Sequence, residues 1–153
     1  MNTPSDQEIL NGISEGATKE KAFSQLVYKY QENLYWSIRR LTKSHEATDD
    51  VLQNCWIKVW KNIHKFQGNS SLYTWLYRIG TNEAYSYLST AYKRTFVPTD
   101  EPLVSGSENL HLSGEKIEAL LFKAIHELPE KQQILFQMKY FDDLKFKEIS
   151  EIL

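Results

Sequence analysis

From Lys65 to Tyr85 the chain reads KFQGNSSLYTWLYRIGTNEAY, and its residue types suit one kind of chemistry. Phe66, Tyr73, Tyr77 and Tyr85 offer rings on which unstacked bases can lie, at about 1–3 kcal/mol per base. Gln67, Gly68, Asn69, Ser70 and Ser71 make a loop of amides and hydroxyls that could read the edge of a base drawn out of its stack. Lys65 and Arg78 supply positive charge for phosphate. Phe66 also suits a plain place in the core at a helix end, because aromatic residues bury readily. Other chemistry finds little support. His45, His64, His111 and His126 are scattered and Cys55 stands among apolar positions, so no metal-ligand spacing appears. Asp49–Asp50 and Asp142–Asp143 read as helix-start or turn residues. There is no glycine-rich phosphate loop and no Ser/His/Asp arrangement, which argues against an enzyme and against any cofactor or small-molecule substrate.

The elements that must position these residues are helices. A helix is expected from Asp49 to about Ile63, started by Asp49 and Asp50, with Val51, Leu52, Cys55, Trp56, Val59 and Ile63 on its apolar face. Asp50, Gln53, Asn54 and Ile57 fall off that face and leave a mixed polar and apolar strip toward solvent. FQGNSS breaks the helix, and a second is expected over about 71–88 with Leu72, Trp75, Leu76, Ile79 and Ala84 inward. Tyr73, Tyr77, Arg78, Asn82, Tyr85 and Ser86 are expected outward. Before these come a short helix capped by Ser5 and ending near Gly16, and a long amphipathic helix from about Lys19 to Lys43. The basic end of the latter, Arg39, Arg40 and Lys43, complements a helix dipole at least as well as it would contact a DNA backbone. The N-terminal part is thus expected to be an all-α bundle of four main helices ending about Arg94.

The stretch VPTDEPLVSGSENLHLSG has no Lys or Arg, no steady apolar period, and acids at Asp100, Glu101 and Glu108. It reads as a flexible acidic linker over 96–114. Beyond it, Ile117, Leu120, Leu121, Ala124, Ile125 and Leu128 form one helical face ended by Pro129. Glu130–Tyr140 reads as a helix with Ile134, Leu135 and Met138 inward. FDDLKF is a turn, and a last helix starts at Lys147.

Two blocks carry a family resemblance. DDVLQNCWIKVW resembles the core-polymerase-binding helix, region 2.2, of the bacterial sigma-70 family. KFQGNSSLYTWLYRIGTNEAYSYL resembles regions 2.3 and 2.4 of its small extracytoplasmic-function (ECF) group, most tellingly in YTWLYRI-x-x-N. AIHELPEKQQILFQMKYFDDLKFKEISEIL resembles the opening of region 4, whose helix-turn-helix reads promoter DNA. The resemblance implies a region 2-like domain over 1–95, the linker, and an incomplete region 4-like domain over 115–153 that stops before the recognition helix. It implies that Asp50, Gln53, Asn54, Ile57 and Trp60 dock on core RNA polymerase. It implies too that Phe66, Gln67, Gly68, Asn69, Ser70, Ser71, Tyr73, Tyr77, Arg78, Asn82 and Tyr85 take the non-template strand of the −10 promoter element and help melt it. An anti-sigma factor as a further partner is implied by the family alone, and the linker is expected to thread near the polymerase active-site channel.

Composition agrees. The 153 residues suit one or two small domains, and a hydrophobic fraction of 41% supports packed cores. No apolar run approaches the ~20 residues of a membrane span. MNTPSDQEIL lacks the marks of an export signal, and a single Cys fits a reducing cytosol. A net charge of −2 does not advertise a nucleic-acid binder, so DNA contact must come from a local patch. Two rivals remain: a helical module that sequesters a partner protein, and a helix-turn-helix regulator that binds duplex DNA alone.

Overall fold

The computed structural model describes residues 4–95 and 114–153. Every regular element among them is helical. Helix α1 (Asp6–Ser14) starts at a capping box: the Ser5 hydroxyl accepts from the Glu8 amide at 3.3 Å, and the Ser5 amide donates to the Glu8 carboxylate at 2.7 Å. A cap of this kind stabilises a helix by about 1 kcal/mol. Ile9 and Ile13 face inward, and Gly16, at φ +67°, turns the chain into α2 (Lys19–Thr42). The two helices approach closely because position 12 carries no side chain; a Cβ there would lie 2.9 Å from Ala22 Cβ. Asp6 ties them further, accepting from Lys29 Nζ at 2.8 Å and from the Tyr30 hydroxyl at 2.6 Å.

Helix α3 (His45–Asn62) begins four residues earlier than the Asp49 start expected from the sequence. Its cap is Ser44, whose hydroxyl faces the Ala47 amide at 3.4 Å. Asp49 and Asp50 are therefore exposed mid-helix residues in the second turn. A single 3-10 turn, Ile63–Lys65, closes it. Gly68, at φ +72°, makes the turn that an L side chain would strain. Helix α4 (Leu72–Thr95) follows, with the Ser71 hydroxyl accepting from the Thr74 amide at 3.1 Å. Gly80 lets α4 lie close on its neighbours; a Cβ there would be 3.3 Å from Ile38 Cδ1 and 3.6 Å from Cys55 Sγ. The expected linker over 96–114 falls, save Gly114, outside the described residues.

Three shorter helices complete the fold: α5 (Gly114–His126), α6 (Glu130–Phe136) and α7 (Phe146–Ile152). Pro129 separates the first two, as its missing amide requires. The expected continuous helix to Tyr140 instead widens into a π turn over Gln137–Phe141. The expected inward faces here are only partly so. Ile125, Ile134 and Met138 are buried, but Ile117, Leu121, Ala124 and Leu135 are exposed. A short helix has room for a narrow buried stripe, and the wider apolar arc exceeds what its neighbours cover.

These three helices pack on the bundle. One core joins Ile9, Leu26, Leu34, Cys55, Val59, Leu76 and Tyr77 to Ile134, Met138 and Ile149. A second joins Ile38, Leu41, Val51, Ala84 and Tyr85 to Ile125.

Candidate polymerase and nucleic-acid interfaces

The outer strip of α3 is open. Asp50, Gln53, Asn54 and Ile57 are all exposed, at the i, i+3, i+4, i+7 spacing of one helical face. Ile57 keeps 46% of its surface in solvent, unusual for a branched apolar side chain flanked by amides and a carboxylate. Trp60, the fifth residue of the expected docking set, is only half exposed. Its ring lies edge-on to Phe23, centroids 4.8 Å apart, with Lys19 Nζ 4.2 Å from its centroid. It props α3 against the start of α2 while showing one edge. Beside the strip, Lys58 pairs with Glu83 and links α3 to α4. On the inner side Cys55 is fully buried, and burial pushes its thiol up to about 12; Glu83 adds to this and Lys58 opposes it.

The loop after α3 is open as well. Gln67, Gly68, Asn69 and Ser71 are exposed, Ser70 half so. Phe66 has its ring 5.6 Å from that of Trp75, which buttresses the loop against α4. The loop borders a cleft of about 530 Å³ lined by Lys65, Phe66, Gln67, Asn69, Ser70, Thr74, Trp75 and Arg78 on one side, and by Lys131, Ile134 and Leu153 on the other. Amides, hydroxyls and aromatic surface thus sit among three cationic side chains. Lys131 was not among the expected site residues; it lies near the start of α6, and only the packing of that helix brings it to the cleft.

The ring-bearing face of α4 is not open. Tyr77 and Tyr85, both expected outward, are 1% exposed. The Tyr77 hydroxyl donates to Asp142 Oδ2 at 2.6 Å, and the Tyr85 hydroxyl donates to Gln137 Oε1 at 2.7 Å. Burial pushes both phenols up, and the Asp142 charge adds to the effect. Tyr73 is half buried, stacked on Tyr30 at 5.7 Å and 6.0 Å from Tyr77. The physical reason is long-range. In an isolated four-helix bundle this side of α4 would face water, but α5–α7 cover it. Of the remaining expected residues, Arg78 and Asn82 are half buried and Ser86 is exposed.

Asp142 is the hub of this cover. Its side chain, 6% exposed, accepts from Tyr77, from Arg40 Nη1 at 3.0 Å and from the Ser37 hydroxyl at 3.5 Å. Burial pushes its carboxyl up, while Tyr77, Arg40 and Ser37 pull the other way. One residue on, Asp143 takes a left-handed backbone at φ +54°. Gln137 is less well served: it is fully buried, and its Nε2 has no hydrogen-bond partner. Such an orphan costs about 1–3 kcal/mol. At the rim Lys43 pairs with Glu118, and the Ile152 carbonyl accepts from the Thr74 hydroxyl at 2.6 Å. Among the described residues no group of three or more His, Cys, Asp and Glu could hold a metal, and no helix is long and apolar enough to cross a membrane.

Comparison with known proteins meets this geometry. The family model for Sigma-70 region 2 matches residues 26–94, which hold both the α3 strip and the loop. That for Sigma-70, region 4 matches residues 118–153. Over 162 residues the chain is 30% identical to the ECF RNA polymerase sigma-E factor of Haemophilus influenzae, an alignment covering 97% of this chain and 83% of that one. With the ECF RNA polymerase sigma-E factor of Escherichia coli K12 it is 30% identical over 161 residues, 97% of this chain and 82% of the other. The order of the two blocks agrees with the motifs, and the all-α fold with the family. The chain therefore belongs to the extracytoplasmic-function group of the sigma-70 family, whose members direct promoter recognition in the initiation of transcription.

Proposed function

We propose that this chain is a dissociable specificity subunit that docks on core RNA polymerase through the open strip of α3 and takes up the non-template strand of the −10 element at the loop over 66–71. The division of labour is a docking and melting domain over 1–95, a tether over 96–114, and a region 4-like domain over 115–153. Asp50, Gln53, Asn54 and Ile57 form the docking surface, with the exposed edge of Trp60 extending it. Phe66, Gln67, Gly68, Asn69, Ser70 and Ser71 receive a base leaving the stack. Lys65 and Arg78 hold phosphate, and Asn82 with the half-buried Tyr73 extends the path along α4. The chain makes and breaks no bonds of its own. An anti-sigma factor is its regulatory partner, and it acts where RNA polymerase does, in the cytoplasm.

The observation that carries this reading is the pairing of two open surfaces on one helical hairpin. An exposed Ile57 set among amides is a protein-docking surface, and one turn beyond α3 lies a polar loop opening on a cationic cleft. Both lie within the Sigma-70 region 2 match.

Co-elution with purified core RNA polymerase tests it, using the chain beside a Gln53→Ala, Ile57→Ala double variant. The expected result is binding by the wild type and a loss of about tenfold or more in affinity for the variant, the scale on which a few central interface residues act. Equal binding by both would discard the α3 strip. No binding by a folded wild-type chain would discard the sigma reading.

A further inference from the structure

The cleft between the 66–71 loop and α6 has a charge that the chain as a whole does not. The protein carries 20 Asp and Glu against 18 Lys and Arg. Yet Lys65, Arg78 and Lys131 meet at one opening of about 530 Å³, and no Asp or Glu is among its described lining residues. We propose that this cleft binds a soluble nucleoside di- or triphosphate, with the phosphates at the three cations and the base against the Phe66–Trp75 pair. The site stands on the chemistry of the cleft itself and goes beyond the reading of the loop as a −10 contact.

Three observations carry it. The first is the state of the cations. Lys65 and Lys131 are exposed, and neither has an ion-pair partner among the described residues. Like charges gathered on one cleft repel one another, and a chain of phosphates relieves that repulsion while accepting from each.

The second is what lies beside the charge. Phe66 and Trp75 both line the cleft, both are half buried, and their ring centroids are 5.6 Å apart. A base gains by stacking on such surface, whereas a bare phosphate or an acidic peptide side chain does not. The third is the loop's loosely held polar groups. Asn69 Nδ2 donates to Gln67 Oε1 at 3.4 Å, a long contact between exposed neighbours. The edge of a base, which mixes donors and acceptors as these amides do, can replace it with shorter bonds. The volume also falls within the range of about 300–1,000 Å³ typical of small-molecule pockets.

Lys131 gives the site its own reporter. It belongs to neither the docking strip nor the proposed strand path, and it reaches the cleft from the second half of the chain.

Fluorescence anisotropy with N-methylanthraniloyl-labelled ADP and GDP tests the site on the full chain, beside Lys131→Ala and Lys65→Ala. The expected result is saturable binding of one nucleotide per chain, weakened about tenfold by either substitution, the scale of one lost charge-assisted contact. Unlabelled ADP should displace the probe at least about tenfold better than adenosine or pyrophosphate, because each of these engages only part of the cleft. No saturable binding by the folded wild type would overturn the site. Binding unchanged in Lys131→Ala would overturn its assignment to this cleft. Pyrophosphate competing as well as ADP would reduce the cleft to an anion site and overturn the nucleotide reading. A labelled single-stranded adenine- and thymine-rich oligonucleotide separates the two sources of base and phosphate, and its affinity should change less than about twofold in Lys131→Ala, whose side chain lies off the strand path. A loss as steep as that for ADP would give the cleft to the DNA strand and overturn the proposal. None of these readouts uses polymerase, so their failure and that of the sigma reading are distinguishable.

Discussion

Helices α3 and α4 lie side by side in one bundle, yet they meet the outside in opposite ways. The outer strip of α3 is a row of exposed polar side chains that ends on the apolar Ile57. The ring face of α4 is roofed by α5–α7, and its two best stacking platforms are 1% exposed. Burial divides the two surfaces into one open to a partner and one closed by the second half of the chain. That difference divides substitutions into those that cost stability and those that cost binding.

The largest expected effect is on the covered side. Tyr77→Ala empties a fully buried ring site and should destabilise the chain by about 3–5 kcal/mol, read as a shift in the urea midpoint. A loss below about 1 kcal/mol would mean that the cover is loose, and would break the contrast. Tyr77→Phe sharpens it by keeping the ring and removing only the hydroxyl that Asp142 accepts; the expected cost is about 1–2 kcal/mol. On the open side, Gln53→Ala with Ile57→Ala should change stability by no more than about 0.5 kcal/mol per site while lowering polymerase affinity.

A further effect comes from pH and the seam between the two helices. The Cys55 thiol is pushed from 9.0 to about 12 by burial, so the folded chain keeps its proton where the unfolded chain would lose it. Its contribution to stability is complete below about pH 9 and is lost as pH rises toward 12, by at most about 1.4 kcal/mol per unit. The buried phenols of Tyr77 and Tyr85 act in the same direction. Alkaline titration followed by circular dichroism should show unfolding in that range, and Cys55 should resist alkylation at neutral pH until denaturant is added. Rapid alkylation of the native protein would show α3 and α4 to be less tightly joined than Gly80 allows.

Much of the α3 side was legible in the sequence because the cues are local. The Ser5 cap, the turns at Gly16 and Gly68, the stop at Pro129, and the division of α3 into Val51, Cys55 and Val59 inward against Gln53, Asn54 and Ile57 outward all follow from spacing over a few residues. The start of α3 was missed by four residues because Asp49 and Asp50 compete with Ser44 as cap candidates, and acids suit an exposed second turn equally well. The α4 side was misread for a different reason. Tyr77 meets its partner 65 residues on and Tyr85 meets its own 52 residues on, so no window of helical period could distinguish a platform for bases from a platform for another helix. Rings with hydroxyl tips serve both purposes. The same distance hid Asp142, which reads as an ordinary turn residue in FDDLKF, and Lys131, which joins the cleft only through the packing of α6.

The most direct test of the account is hydrogen exchange of the full chain with and without core RNA polymerase. Amides of α3 around 50–60 should become protected on binding, as expected at a docked helix. Protection elsewhere with α3 unchanged would contradict the account at its centre.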